Sequence, residues 1–159
     1  KVTGLNLVGS VGENISMVAI KKMLTNGLYS RGKAIKASNE YIKKLKIKTP
    51  SGNEIVGNLS GGNQQKVVIA KWLLNEPDII IMDEPTRGID VGAKRDIYIL
   101  MGELVQQGKA VIMISGEIPE LMGVCDRIGV MAEGTLSGEL QRDEFSQEKI
   151  MELASKIAV

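Results

Sequence analysis

Two stretches of this chain hold groups that could handle phosphate. They are Leu59-Ser60-Gly61-Gly62-Asn63-Gln64-Gln65-Lys66 and Ile79-Ile80-Ile81-Met82-Asp83-Glu84-Pro85. Ser60 falls where a helix N-cap belongs, and Gly61 and Gly62 follow it. Glycine lets backbone N–H groups approach an anion closely, and a helix N-terminus offers unpaired donors with partial positive charge. The serine hydroxyl adds one more donor. Taken alone, Ser-Gly-Gly before a helix is more readily a plain cap in a loop. The Gln64-Gln65-Lys66 continuation and the acid-ended segment after it turn the reading towards phosphate.

Asp83 and Glu84 close an apolar run expected to be buried in a parallel sheet. Carboxylates at the C-terminal edge of such a strand face the crevice where α/β folds bind ligands. Adjacent strand residues point to opposite sides, so the two acids take separate tasks. Asp83 suits Mg²⁺, directly or through its water shell, and Glu84 suits orienting or deprotonating a water for attack on phosphorus. The alternative is a simple Asp-Glu-Pro turn after a core strand, and the following Thr86-Arg87-Gly88-Ile89-Asp90 weighs against it. No G-x-x-x-x-G-K-[ST] loop occurs in the 159 residues, so the chain is not expected to grip a nucleotide by itself in the usual way.

The elements that must position these groups follow from periodicity and turn chemistry. Ser10-Val11-Gly12-Glu13 has the form of a capping box and predicts a helix running through Ile15, Val18, Ala19 and Met23 until Asn26-Gly27 breaks it. Lys33 to Leu45 is helical, with Ala37, Tyr41 and Leu45 on one face. Apart from a short apolar piece at Leu5 to Val8, residues 1 to about 58 show no strand. Beyond Ser60 the expected order is a helix from Gly62 to Leu74, a strand from Ile79 to Asp83, a helix from Val91 to Gln107 and a strand from Ala110 to Ser115. A helix from Glu117 to Val124, a hairpin of Arg127–Met131 with Thr135–Leu140, and an amphipathic helix from Asp143 to Ala158 complete it. Strands alternating with helices predict an α/β fold: a parallel sheet with a small antiparallel edge hairpin. The expected divisions are a helical part at 1–59, an α/β core at 60–142 and a C-terminal helix at 143–159.

Composition bounds the possibilities. The length is that of about one domain. Aromatics make up only 3%, so Ile, Leu, Val, Met and Ala must build the core; Met82, Met113 and Met131 read as core, and Trp72 is expected to pack. No apolar run reaches the roughly 18 residues that would span a bilayer, and the N-terminus does not resemble a signal peptide. The missing initiator Met points to a piece of a longer chain. A single cysteine, Cys125, excludes an internal disulfide and reads as a small apolar residue; the absence of histidine weighs against zinc. A cytosolic compartment fits best. Residues 1 to 60 carry ten Lys/Arg against three Asp/Glu, the remainder ten against sixteen. Such asymmetry fits a solvated lysine-rich face, an anionic headgroup surface or nucleic acid.

The strings LSGGNQQK, IIIMDEPTRGIDVGAK, VIMISGEIPEL and DRIGVM resemble the ATP-binding subunits of ABC transporters. More narrowly they are similar to the C-terminal nucleotide-binding half of tandem sugar-importer ATPases of the ribose, galactose and xylose type. The resemblance implies a partial ABC-ATPase fold with a helical, signature-bearing subdomain. It implies that Ser60, Gly61 and Gly62, with Asn63 and Gln64 beside them, contact the γ-phosphate of ATP held by the opposing cassette. Asp83 then holds Mg²⁺, Glu84 is the catalytic carboxylate, and Gly88, Ile89 and Asp90 form the loop that crosses the dimer interface. Gly116 stands where these ATPases usually place a γ-phosphate-contacting histidine, which implies a weak or slow site and an asymmetric pair. Implied partners are the N-terminal nucleotide-binding half of the same polypeptide, membrane permease subunits and, indirectly, a periplasmic sugar-binding protein, at the cytoplasmic face of the membrane.

Without the phosphate loop the chain alone is expected to show no ATPase activity, and uncovered sheet edges are expected to drive self-association. Two rival readings are a DNA-associated ABC ATPase and a silent interaction module. No sustained heptad pattern supports the first, and nucleic acid is not an expected partner. Glu84 opposes the second, although Gly116 favours it.

Overall fold

The computed structural model describes residues 4–155. Two compact units share the chain: one runs up to Ile80 and takes in Thr86–Val111, and the other comprises Ile81–Pro85 and the chain from Ile112 onwards.

The first unit is mainly helical. Its α1 (Val11–Ser16) opens on a complete capping box, the Ser10 Oγ accepting from the Glu13 N–H while the Glu13 carboxylate accepts from the Ser10 N–H. The helix ends at Ser16, earlier than expected, and Ala19, at φ −106° and ψ 31°, has left helical geometry. A 3₁₀ turn at Ile20–Met23 follows. Two short antiparallel strands, β1 (Leu24–Thr25) and β2 (Leu28–Tyr29), then form a hairpin where the sequence promised only a break. Asn26 and Gly27, at φ 51° and 81°, make the left-handed corner that an Asn-Gly pair tolerates at little cost. The Leu5–Val8 piece is no strand. It is fastened instead by buried Asn14, whose amide exchanges hydrogen bonds with the Asn6 N–H and C=O at 2.8 and 2.9 Å.

Helix α2 (Arg31–Lys44) starts at the Ser30 cap and buries Ala34, Ser38 and Tyr41 along one face. Helix α3 (Gly61–Leu73) packs on α1 and α2, and the Tyr41 hydroxyl donates to the Leu73 carbonyl at 2.8 Å. Helix α4 (Val91–Gln106) begins at the Asp90 cap and packs on α3, burying Ile97, Leu100, Met101 and Leu104. Residues 4–59 thus share one unit with α3 and α4. Fully buried Val11, Ile15, Val56, Val67, Ile97 and Leu104 supply its core, each side chain stabilising by about 1.5–3 kcal/mol.

Strands β3 (Ile79–Asp83) and β4 (Ala110–Ile114) pair with one another and pass from the first unit into the second. The Ala110 N–H donates to the Asp78 carbonyl and the Glu84 N–H to the Ile114 carbonyl, so the pair is parallel. The expected burial on both faces holds for one face only: Ile80 and Met82 are buried, while Ile79 and Ile81 are exposed. In the second unit, α5 (Ile118–Val124) leads to the antiparallel pair β5 (Arg127–Ala132) and β6 (Thr135–Gln141), turned by Glu133 and Gly134 at positive φ. Helix α6 (Gln147–Ala154) covers that hairpin; it is shorter than expected because Arg142–Glu144 forms a separate 3₁₀ turn, and residues 156–158 of the expected helix lie outside the described residues. The core here is Ile128, Val130, Leu140 and Ile150, with half-buried Cys125 against it. Met131 faces outwards, on the alternate side of β5 from Ile128 and Val130, and Trp72 of α3 is also exposed, under the Lys71 ammonium.

Candidate functional site

The serine-glycine turn lies in the first unit. Ser60 is exposed and precedes α3 in extended geometry, but its hydroxyl does not cap the helix. The Ser60 Oγ instead accepts from the Asn63 Nδ2 at 2.9 Å, and the Asn63 Oδ1 accepts from the Lys48 N–H at 2.8 Å. Gln64 turns inward: its Nε2 donates to the Val56 and Leu59 carbonyls at 3.3 and 3.1 Å. Asn63 and Gln64 therefore fasten the turn from behind, while Ser60 fronts it. Gly61 sits at the first helical position, where a backbone N–H has no partner within the helix.

Gly62 is buried, and a Cβ there would lie 2.5 Å from the Ala93 Cβ. The lack of a side chain is thus needed for α3 to meet α4. Asp90 accepts from the Ala93 N–H at 2.9 Å and so starts the helix that carries Ala93. Lys66, almost fully buried, joins the same two helices through Asp96 at 2.8 Å and also reaches the Lys46 carbonyl. Its ammonium holds the Asp96 carboxyl below the usual carboxylate range.

The acid pair lies in the second unit. Asp83 is exposed at the end of β3. Glu84 is half-buried and adopts φ 46°, a left-handed conformation that ends the strand and is uncommon outside glycine, asparagine and aspartate. Its backbone is fixed by the N–H bond to Ile114, and its Oε1 accepts from the Gly116 N–H at 2.9 Å. Gly116 therefore reaches Glu84 through its main chain. Beside it the Ser115 hydroxyl donates to the buried Glu120 carboxylate at 2.8 Å and accepts from the Glu117 N–H at 3.1 Å. Spacing alone gave no sign of Ser115 and Glu120. Among the described residues no cluster of three or more His, Cys, Asp or Glu is placed to hold a metal. Asp83 offers one carboxylate, which suits a magnesium ion coordinated mainly by phosphate and water oxygens.

A serine-glycine turn opening a helix, and a parallel strand ending in two acids, mark this as an α/β protein. The family model described as ABC transporter matches residues 5–87, and the chain belongs to that family. Among curated relatives, the ribose import ATP-binding protein RbsA of Clostridium tetani is 56% identical over 156 residues, 97% of this chain and 31% of that protein. The L-arabinose transport ATP-binding protein AraG of Geobacillus stearothermophilus is 48% identical over 159 residues, 100% of this chain and 31% of its own. The chain spans about a third of the length of the curated relatives it matches. Among solved structures, the dimeric post-hydrolysis ATP-binding cassette MJ0796 bound to ADP and Pi superposes with a TM-score of 0.73 at 28% identity, over 89% of this chain and 60% of that one. A metal-chelate-type ABC transporter in an inward-facing conformation gives 0.80 at 16% identity, a likeness of fold, over 94% of this chain and 59% of that one.

Proposed function

We propose that this chain is part of the ATP-binding, ATP-hydrolysing subunit of an ABC importer for a monosaccharide of the ribose kind. The observation that carries the proposal is Glu84, whose carboxylate is aimed by the Gly116 N–H at the end of a strand that also carries Asp83. Relatives named for ribose and xylose import and for L-arabinose transport support the substrate class.

In this reading Ser60, Gly61 and Gly62, braced by Asn63 and Gln64, meet the triphosphate held by the N-terminal nucleotide-binding half of the same polypeptide. Asp83 holds Mg²⁺, which when bound neutralises charge on the phosphate oxygens. Glu84 orients the attacking water through the carboxylate oxygen that Gly116 leaves free. Asp90 shapes the loop before α4 that faces the opposing half. Exposed Leu28, Tyr29 and Ile35 of residues 1–59 meet the permease, with Lys43, Lys44 and Lys46 towards it or the membrane surface. The periplasmic sugar-binding protein is an indirect partner. Among the described residues no helix is long and apolar enough to cross a membrane; the subunit sits at the cytoplasmic face through its permease contacts. The chain alone turns over no ATP, and it self-associates through the uncovered face of β3 and β4.

The test is E84Q in the intact polypeptide. ATP binding should persist while turnover falls at least about tenfold. Unchanged turnover would remove the assignment of Glu84 and leave a module that binds without hydrolysing.

A further inference from the structure

The Ser115-Gly116-Glu117 corner holds a buried acid that the reading above does not use. Glu120 is only 8% exposed, yet it sits one helical turn from an exposed corner and accepts the Ser115 hydroxyl at 2.8 Å. Ser115 in turn accepts the Glu117 N–H at 3.1 Å, and the Glu120 N–H donates to the Glu117 carbonyl at 2.9 Å. Ser115 is therefore tied to the Glu120 carboxyl directly, and Glu117 to it through the Ser115 hydroxyl. Between them the Gly116 N–H projects onto Glu84 Oε1 at 2.9 Å. A Cβ at 116 would meet nothing nearer than that same oxygen, at an ordinary 3.6 Å. Lack of space thus does not explain the position; its chemistry is the direction of its amide.

We propose that Ser115 and Glu120 are positioning residues for Glu84, acting through the Gly116 amide in place of a side chain from that corner. This inference rests on the reading of Glu84 as the carboxylate that handles the attacking water. The buried Glu120 carboxyl accepts the Ser115 hydroxyl at 2.8 Å and so holds that side of the corner in place. The fixed Gly116 N–H occupies Oε1 and fixes the plane of the Glu84 carboxylate, leaving Oε2 for water. Misplacing that plane by a fraction of an ångström costs rate, not nucleotide affinity.

The experiment compares S115A, S115T and E120Q in the intact polypeptide assembled with its permease. The quantity read is the part of ATP turnover that E84Q removes, separated into kcat and KM. S115A should lower that kcat about tenfold with KM for ATP within about twofold, and S115T, which keeps the hydroxyl, should restore most of it. E120Q replaces the carboxyl with an amide that still offers an acceptor and should fall between. Unchanged kcat in S115A, or equal losses in S115A and S115T, would overturn the proposal; so would a rise in KM with kcat intact. Should E120Q fail to fold, the serine pair decides the matter. If E84Q removes no turnover, the reading of Glu84 fails; if it does and S115A is silent, only the positioning role fails.

Discussion

Gly62 and Ala93 stand so close that a β-carbon on Gly62 would lie 2.5 Å from that of Ala93. This contact sets the approach of α3 to α4, and with it the distance between the serine-glycine turn and the Asp90 cap. G62A should destabilise the protein by about 1–3 kcal/mol through overpacking. G62A with A93G should recover most of that loss in denaturant unfolding. A double variant no more stable than G62A would show that the two residues do not oppose each other.

The Lys66–Asp96 pair adds a polar tie across the same helices. Burial is one-sided: the lysine side chain is 8% exposed and the aspartate 52%. D96A leaves a buried ammonium with the Lys46 carbonyl as its remaining acceptor and should cost about 1–3 kcal/mol. K66M, which fills the same space without charge, should cost less. The native Asp96 pKa lies below its ordinary value of 3.8, chiefly through the Lys66 hydrogen bond. Its stabilisation is therefore fully present above about pH 4 and is lost as pH falls through the lowered native value. The acid-unfolding midpoint should move up in D96A relative to the parent; coincident midpoints would count against the tie.

The capping box at α1 is open to a simpler measurement. The Ser10 bonds hold the Glu13 carboxyl below its usual range, its backbone N–H making the largest contribution. S10A should cost about 1 kcal/mol in thermal or denaturant unfolding. S10D should cost less, since a carboxylate can also accept from the Glu13 N–H, although it then faces Glu13 itself.

Cys125 should be a sluggish thiol. Burial against the Ile128 and Leu140 core, with Asp126 adding to it, pushes its pKa above the ordinary 9.0. The thiolate is the reactive form, so alkylation should stay slow at neutral pH and accelerate only above about pH 9. Fast iodoacetamide labelling at pH 7 would contradict the burial seen here.

Much of this protein was legible along the chain because the signals were local. The capping box at Ser10, the β-branched run of β3 and the turns at Asn26-Gly27 and Glu133-Gly134 need only neighbours in sequence. The hairpin around Asn26-Gly27 was not legible beyond its turn, because its strands are two residues each and show no period. What the motifs could not reveal was division of labour within them: Asn63 and Gln64 brace the turn, and Gly62 packs directly against Ala93.

The amino-acid order alone determined the family, the positions of the helices and the two acids at the end of β3. Folding in three dimensions decided which groups reach them. Glu84 meets the Gly116 amide across 32 residues, and Lys66 meets Asp96 across 30. Periodicity records which face of an element is apolar, but long-range partners depend on how strand ends and helix surfaces come together, which no spacing within one segment encodes.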